Sequence, residues 1–356
     1  MIRVMVRRSR DISYLSEDRA LELDGVREGP AQWWLRAGGD ARSLEDVNQV
    51  LTTSERSAVV GYDVVVAAPR TISTLVAIDP DHAPAVVAAH RRAVAGALDY
   101  LEDRALVVRD RRGGSDTERP GRWTHVVAFT HGVNRHGDPH LHDHLLVGAR
   151  PAGEMNVADS RALFAHAAAA DALYRSTLRA QVARSTPYVA WRSFEGVEHV
   201  VGLDEGYRVL WGGHHDVRGF KHHWTRDEAL ERWRDDLTRF EAHGARAATD
   251  RSPRELDEHA FRAALEGRDV AARRHVIEAW ANAATFGRDA ASVSASVDAW
   301  YPTMRSSRGV REVTMSVPEV RMIAVTRDRG PRPLDVGDID DWRQRSRSRE
   351  GVARSR

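Results

Sequence analysis

Cysteine is absent from the 356 residues, which excludes disulfides, thiolate metal sites and cysteine nucleophiles. Any metal must therefore be held by His, Asp or Glu. Lysine is nearly absent as well: Lys221 is the only one among 53 basic residues. An excess of one charge sign is also missing, since 53 Lys and Arg face 52 Asp and Glu, for a net charge of +1. A uniformly basic coat for nucleic acid is thereby excluded, although local patches are not. No apolar run reaches the roughly 18 residues that a membrane-spanning helix needs, so no membrane insertion is expected. The N-terminal MIRVMVRRSRDIS lacks the apolar stretch of a secretory signal, so a cytoplasmic location is expected. The phosphate-binding string G-x-x-x-x-G-K-[ST] is absent, and no use of ATP is expected. Also missing are the metalloprotease string H-E-x-x-H and any repeat with a period of about 20–50 residues.

What is present is ordinary for a soluble globular chain: 42% apolar and 29% charged residues. The length suggests about two domains as a soft prior. The first half alternates strand and helix signals. VGYDVVVAAP (60–69) is a short β-branched run closed by proline and reads as a strand. From Asp81 to about Arg104 the apolar positions Val86, Val87, Val94, Leu98 and Leu101 recur at helical spacing. ALVVRDRR and RWTHVVAFTH read as strands joined by a charged loop around Gly113 and Gly114, and HLHDHLLVGAR (140–150) as another. Ser160 is a candidate cap for a following helix. Beyond about Gly206 the pattern turns helical, most clearly in TRDEALERWRDDLTRFEAHG and RELDEHAFRAALEG. The last fourteen residues carry six arginines against one glutamate and almost nothing apolar, a composition that favours disorder.

The most informative segment is FTHGVNRHGDPHLHDHLLVGAR (129–150). His140, His142 and His144 alternate, so in a strand all three imidazoles point to one face. His131 ends the preceding strand, and the turn GVNRHGDP can fold it back beside them. Three neutral imidazoles converging from neighbouring strands suit a borderline divalent metal with open coordination, the arrangement of catalytic rather than structural sites. Alternation alone does not separate the pair 142/144 from the pair 140/142.

The pattern F-x-H, six residues, then D-P-x-L-H-x-H resembles the three-histidine motif of conjugative relaxases of the TrwC-like (MobF) class, members of the HUH single-strand endonucleases. Two further segments carry the resemblance. GYDVVVAAPRTIS (61–73) is similar to the family's G-[FY]-D-L-T-F-S-A-P-K-S-V-S string, and Ser13-Tyr14 followed by EGPAQWW (28–34) is similar to its nucleophile region. Order and spacing agree over about residues 1–200.

The resemblance implies an α+β fold, an antiparallel sheet with flanking helices, over residues 1–235. A mainly helical accessory region (236–340) and a basic tail (341–356) would follow. It implies one divalent ion (Mg, Mn or Zn) on His131, His142 and His144, with His140 in reserve as a ligand or a DNA contact. The DP anchor and the eleven-position step from His131 to His142 favour that set. It further implies that Tyr14 attacks a scissile phosphate of single-stranded DNA at a plasmid or mobile-element transfer origin, leaving a 5′-phosphotyrosyl adduct and a free 3′-hydroxyl. Asp63 would either orient a ligand imidazole or accept the tyrosine proton. Relatives often cluster two or more tyrosines near the nucleophile, whereas this chain has one, which puts a second cleavage in doubt. DNA contacts are expected from Arg7, Arg70, Arg111, Arg112, Trp123 and His140, with Arg109, Arg119, Arg122, Trp33 and Trp34 as further candidates. His214, His215, His222 and His223 suggest a polar DNA-facing loop. Relaxosome accessory proteins and a coupling protein are the expected partners. Alternatives are a rolling-circle replication initiator, a non-cutting origin-binding remnant, and an unrelated three-histidine hydrolase or oxygenase.

Overall fold

The computed structural model describes residues 1–12, 15, 32–36, 50–51, 58–112, 115–134, 138–186, 189, 191–194, 197–200, 228, 231, 251–266, 270–305, 310–314 and 321–325. Tyr14, the four histidines at 214–215 and 222–223, the basic tail, and all of the expected helix over 225–244 except Glu228 and Glu231 lie outside them. So do the side chains of Trp33, Trp34, Arg111 and Arg112.

The chain begins with β1 (Ile2–Arg7), β2 (Gln32–Arg36) and β3 (Gly61–Ala67), then α1 (Arg70–Ile78) and α2 (Ala83–Ala105). An arm of β4 (Val107–Arg112) and β5 (Ser115–Pro120) leads to β6 (Val126–Val133) and β7 (Pro139–Gly148). Helix α3 (Ser160–Ser185) and the hairpin β8 (Trp191–Phe194) and β9 (Val197–Val200) complete this part. The remainder comprises α4 (Pro253–Leu265), β10 (Val270–Ala272), α5 (Arg273–Ala283), α6 (Ala290–Arg305), β11 (Val310–Thr314) and β12 (Arg321–Val325). The fold is α+β. Its main sheet runs β1-β3-β7-β6-β2, antiparallel at every step, with β7 in the middle.

Alternation gives this sheet two different faces. Tyr62, Val64, Val66, Val126, Ala128, Leu141, Leu145 and Val147 point one way, into a large core completed by α2 and α3. Val127, Phe129 and Leu146 point the other way and are covered by Ile12, Leu15, Val50 and Leu51. Two long helices cover the first face, so its strand residues are apolar. The second face is only partly covered, and there the polar residues of β7 collect.

Three details differ from the sequence expectation. The charged loop after Gly114 is itself a strand, pairing with β4 from Val107↔Pro120 to Arg112↔Ser115. The ladder with β4 makes this segment a strand despite its polar sequence. Ser160 is the first residue of α3 rather than its cap; the Asp159 carboxylate accepts the Arg161 N–H at 3.0 Å and does the capping. The C-terminal region, mostly helical as expected, adds a small sheet in the order β10-β12-β11.

Helices α4 to α6 join the same core as the sheet: Leu256, Val276, Ile277, Trp280, Val293 and Val297 are all buried in it. The Arg179 guanidinium on α3 donates to the carbonyls of Ala281 (2.6 Å) and Ala284 (3.0 Å) at the end of α5. A cation placed there satisfies orphan carbonyls and complements the helix dipole. The Ser176 hydroxyl donates to Arg288 O (2.9 Å) and accepts Arg288 N–H (2.8 Å), pinning the α5–α6 turn.

Gly287 sits in that turn at φ 72°, and a Cβ there would lie 2.0 Å from the Ser176 carbonyl oxygen. Gly153 has the same φ of 72° with nothing within 4 Å. Gly153→Ala is expected to cost about 1–2 kcal/mol, the left-handed backbone term alone. Gly287→Ala is expected to cost at least twice that in urea unfolding, because the turn must also leave α3. Equal losses would mean that the close approach contributes nothing.

Candidate metal centre

Strand β7 reads PHLHDHLLVG with alternating burial, the histidines half-buried and Leu141, Asp143 and Leu145 buried behind them. Its register against β6 sets His131 directly opposite His142, and its register against β3 sets Val65 opposite His144. Asp63, two residues along β3 from Val65, therefore shares the histidine face.

The result is a compact triangle. Ring centroids are separated by 5.1 Å for His131–His142, 5.2 Å for His131–His144 and 5.4 Å for His142–His144. One ring nitrogen from each lies within 4.8 Å of the others. Imidazole nitrogens bound at about 2.0–2.1 Å around one ion stand roughly 3–3.5 Å apart, so small ring rotations close the gap. His140 lies outside the triangle, stacked on His142 at 4.6 Å. The ring of His131 lies beside that of His144 as well as His142, which groups it with the pair 142/144 rather than 140/142.

Two hydrogen bonds fix ring orientations. His144 Nδ1 lies 3.0 Å from each oxygen of Asp63, and His142 Nδ1 lies 2.7 Å from the carbonyl of His140. Carboxylates and carbonyls accept, so each Nδ1 carries the proton and each Nε2 keeps its lone pair. Burial, reinforced by the neighbouring imidazoles of His140 and His131, holds His142 well below its ordinary pKa. Burial and then the charge of Arg70 push His140 down to about 4. Neutral imidazoles with free lone pairs are the donor set that a divalent ion requires.

Asp63 is 1% exposed in the middle of β3, and Arg7 from β1 approaches its Oδ2 to 3.9 Å. The same guanidinium donates to the backbone carbonyls of Ser9 and Asp11. Arg7 thus turns into the fold, linking Asp63 to the segment that leads to Leu15. The Leu15 carbonyl lies 3.4 Å from His131 Nε2, and Leu15 itself is buried.

The other expected DNA contacts divide clearly. Trp123 is 4% exposed in the core and offers no face for stacking a base. Arg109 pairs with Glu118 (2.8 Å) and Asp159 (2.7 Å), Arg119 with Glu154 (2.8 Å), and Arg122 with Glu102 and Asp103 (both 3.1 Å). Their charges are locally balanced. Arg70 is exposed at the start of α1, close enough to act on His140. The sequence reading missed the Arg7–Asp63 contact and a buried group behind the histidines formed by Asp143, His90 and Tyr174. The available signal for the latter was an acid at a core-facing position of β7. Among the described residues no helix is long and apolar enough to cross a membrane.

Comparison with known proteins agrees with this fold. No curated protein sequence matches the chain. Among solved structures, a metal-bound structure of the conjugative relaxase TrwC in complex with oriT DNA superposes with a TM-score of 0.53 at 17% identity. TrwC complexed with a 27-mer DNA comprising the recognition hairpin and the cleavage site gives 0.52, also at 17%. Each match covers 68% of this chain and 100% of the other. At that identity the likeness speaks for the fold alone. A family model described as TrwC relaxase matches residues 15–212, beginning one residue after Tyr14 and spanning more than half of the sequence. The chain belongs to the TrwC relaxase family.

Proposed function

We propose that this protein is a conjugative relaxase that nicks and rejoins one DNA strand at a transfer origin, using Tyr14 as nucleophile and a divalent ion on His131, His142 and His144. The observation that carries the reading is the convergence of those three imidazoles beside the backbone of Leu15, the chain neighbour of Tyr14. The TrwC structures in complex with oriT DNA support single-stranded DNA as the substrate class.

In this reading the Tyr14 Oη attacks the scissile phosphorus and an O–P bond forms. The 3′ O–P bond breaks, and the departing oxygen takes a proton to become a 3′-hydroxyl. A phenol has a pKa of about 10 and needs activation at neutral pH. The bound ion supplies Lewis-acid polarisation of the non-bridging phosphate oxygens. His131, His142 and His144 are the residues that would hold it, and an ion with only three protein ligands would be able to accept those oxygens. Asp63 places both its oxygens on His144 Nδ1, which favours an orienting role over acceptance of the tyrosine proton. Arg7, facing inward, supports Asp63 instead of gripping DNA, while Arg70 is exposed and close enough to act on His140, a position suited to a phosphate. Because the adduct conserves the phosphodiester bond energy, the reverse attack by a 3′-hydroxyl rejoins strands without a nucleotide cofactor. The catalytic module occupies about residues 1–235 and acts in the cytoplasm with accessory proteins and a coupling protein. Helices α4 to α6 brace it through α3.

Two measurements test the reading. Labelled single-stranded oligonucleotides tiling the DNA around the gene, incubated with Mn²⁺, are expected to yield a protein-linked band on denaturing gels. That band should vanish with Tyr14→Phe and with chelator. Its persistence in Tyr14→Phe would remove Tyr14 from the mechanism, and its absence from wild type that retains DNA would leave a non-cutting origin binder. Separately, Asp63→Asn is expected to weaken Mn²⁺ binding about tenfold by calorimetry, the lower end of what loss of an orienting carboxylate costs. Unchanged affinity would rule out the orienting role.

A further inference from the structure

Directly behind the histidines, on the helix-facing side of β7, lies a polar group that the reaction does not use. Asp143, between the two ligands His142 and His144, is 0% exposed. Its Oδ2 lies 3.2 Å from Nε2 of His90 on α2, also 0% exposed. His90 Nδ1 in turn lies 2.7 Å from the hydroxyl of Tyr174 on α3, again 0% exposed. One short chain of contacts therefore ties the ligand strand to both long helices. Burial, followed by the nearby carboxylate of Asp143, raises the Tyr174 phenol well above its ordinary range, so it stays protonated.

Stability does not account for this arrangement. His90 Nε2 faces Asp143 Oδ2 at ion-pair distance, and the carboxylate has no hydrogen bond to any other described group. A carboxylate buried in that state is expensive, and replacing buried ionic groups with apolar ones of similar size is often neutral or stabilising. Leu141 and Leu145 bracket the position on the same face, and an apolar residue at 143 would continue their pattern. What the polar chain adds is direction. Apolar contacts tolerate sliding, whereas an acid reaching one imidazole that reaches one hydroxyl allows few positions of the strand. A one-residue slip of β7 would also drive the histidines into the helix-packed core.

We propose that Asp143, His90 and Tyr174 are positioning residues for the histidine triad: they fix β7 against α2 and α3, and so hold His142 and His144 at the spacing a metal needs. The inference rests on the metal-centre reading above, and its test separates the two. Co²⁺ is titrated into the full-length protein, following affinity and the visible absorption bands, with thermal melting in parallel. The triple variant Asp143→Leu, His90→Leu, Tyr174→Phe is expected to melt no lower than wild type, yet to bind Co²⁺ about tenfold more weakly with shifted bands. Asp143→Asn keeps the shape and an acceptor for His90 and is expected to retain near wild-type affinity and spectrum. Wild-type affinity and bands in the triple variant would overturn the proposal. So would an Asp143→Asn loss as large as that of the triple variant, since charge and not position would then be responsible. Should the triple variant fail to fold, Tyr174→Phe removes one oxygen and no packing. A loss of about threefold is expected from it, the scale of one net hydrogen bond, and no loss overturns the proposal. A wild-type protein that binds no Co²⁺ overturns the metal-centre reading and this inference with it.

Discussion

The period of two in strand β7 is the constraint from which the rest of the molecule follows. Every second residue from His140 to His144 faces the partly covered side of the sheet, and the residues between them face the helices. Because β7 is central, it has a neighbour on each side, and each contributes to the same site. β6 brings His131 opposite His142, and β3 brings Asp63 to the Nδ1 of His144. An edge strand would gain only one such partner. The site is thus built on three adjacent strands whose backbones are fixed by ladder hydrogen bonds, a more exact support than loops provide.

The rigidity of that support comes from the opposite face. Helices α2 and α3 pack on one another and on Val64, Val66, Leu141 and Leu145. Helices α4 to α6 extend the same core and are anchored to α3 through Arg179 and Ser176. Those anchors use carbonyls at helix ends, which need partners in any case. The C-terminal helices therefore lengthen the lever that holds α3 and, through it, the sheet. Among the described residues, the histidine face is covered by Ile12, Leu15, Val50 and Leu51 and by no long helix. His142 and His144 stay half-buried beside the buried His131, and burial keeps His142 well below its ordinary pKa.

Much of this was legible from residues, for reasons that can be stated. Alternating histidines specify a shared face because strand geometry leaves no other choice, and Asp63 among apolar neighbours had to find a partner. The helix over 83–105 announced itself by periodicity over six turns. Other features depend on tertiary register, which local pattern does not encode. His140 and His144 are equivalent by alternation, and only the closeness of the His131 ring to that of His144 distinguishes them. Trp123 carries no mark in the sequence of its burial, nor do Arg109, Arg119 and Arg122 of the carboxylates that meet them. The β5 strand is too polar to register as one, and Arg7 looks like any arginine in a basic segment until β1 pairs with β3.

Arg7 also bears on how a carboxylate can serve in the proposed site, where a phosphodiester would bind. Asp63 strengthens His144 as a donor by accepting its Nδ1–H, but a lone anion beside the centre would repel the substrate. The Arg7 guanidinium at 3.9 Å offsets that charge, and its donation to Ser9 and Asp11 joins the same counter-charge to the segment running toward Leu15. With burial holding His142 below its ordinary pKa and the Asp63 carboxylate faced by Arg7, the described residues around the triangle set little negative charge against a divalent ion. A site of that kind keeps its full attraction for an anionic phosphate, although the chain as a whole carries a net charge of only +1. In the proposed relaxase reading, attraction for DNA is then concentrated at the point of chemistry, without a general basic coat.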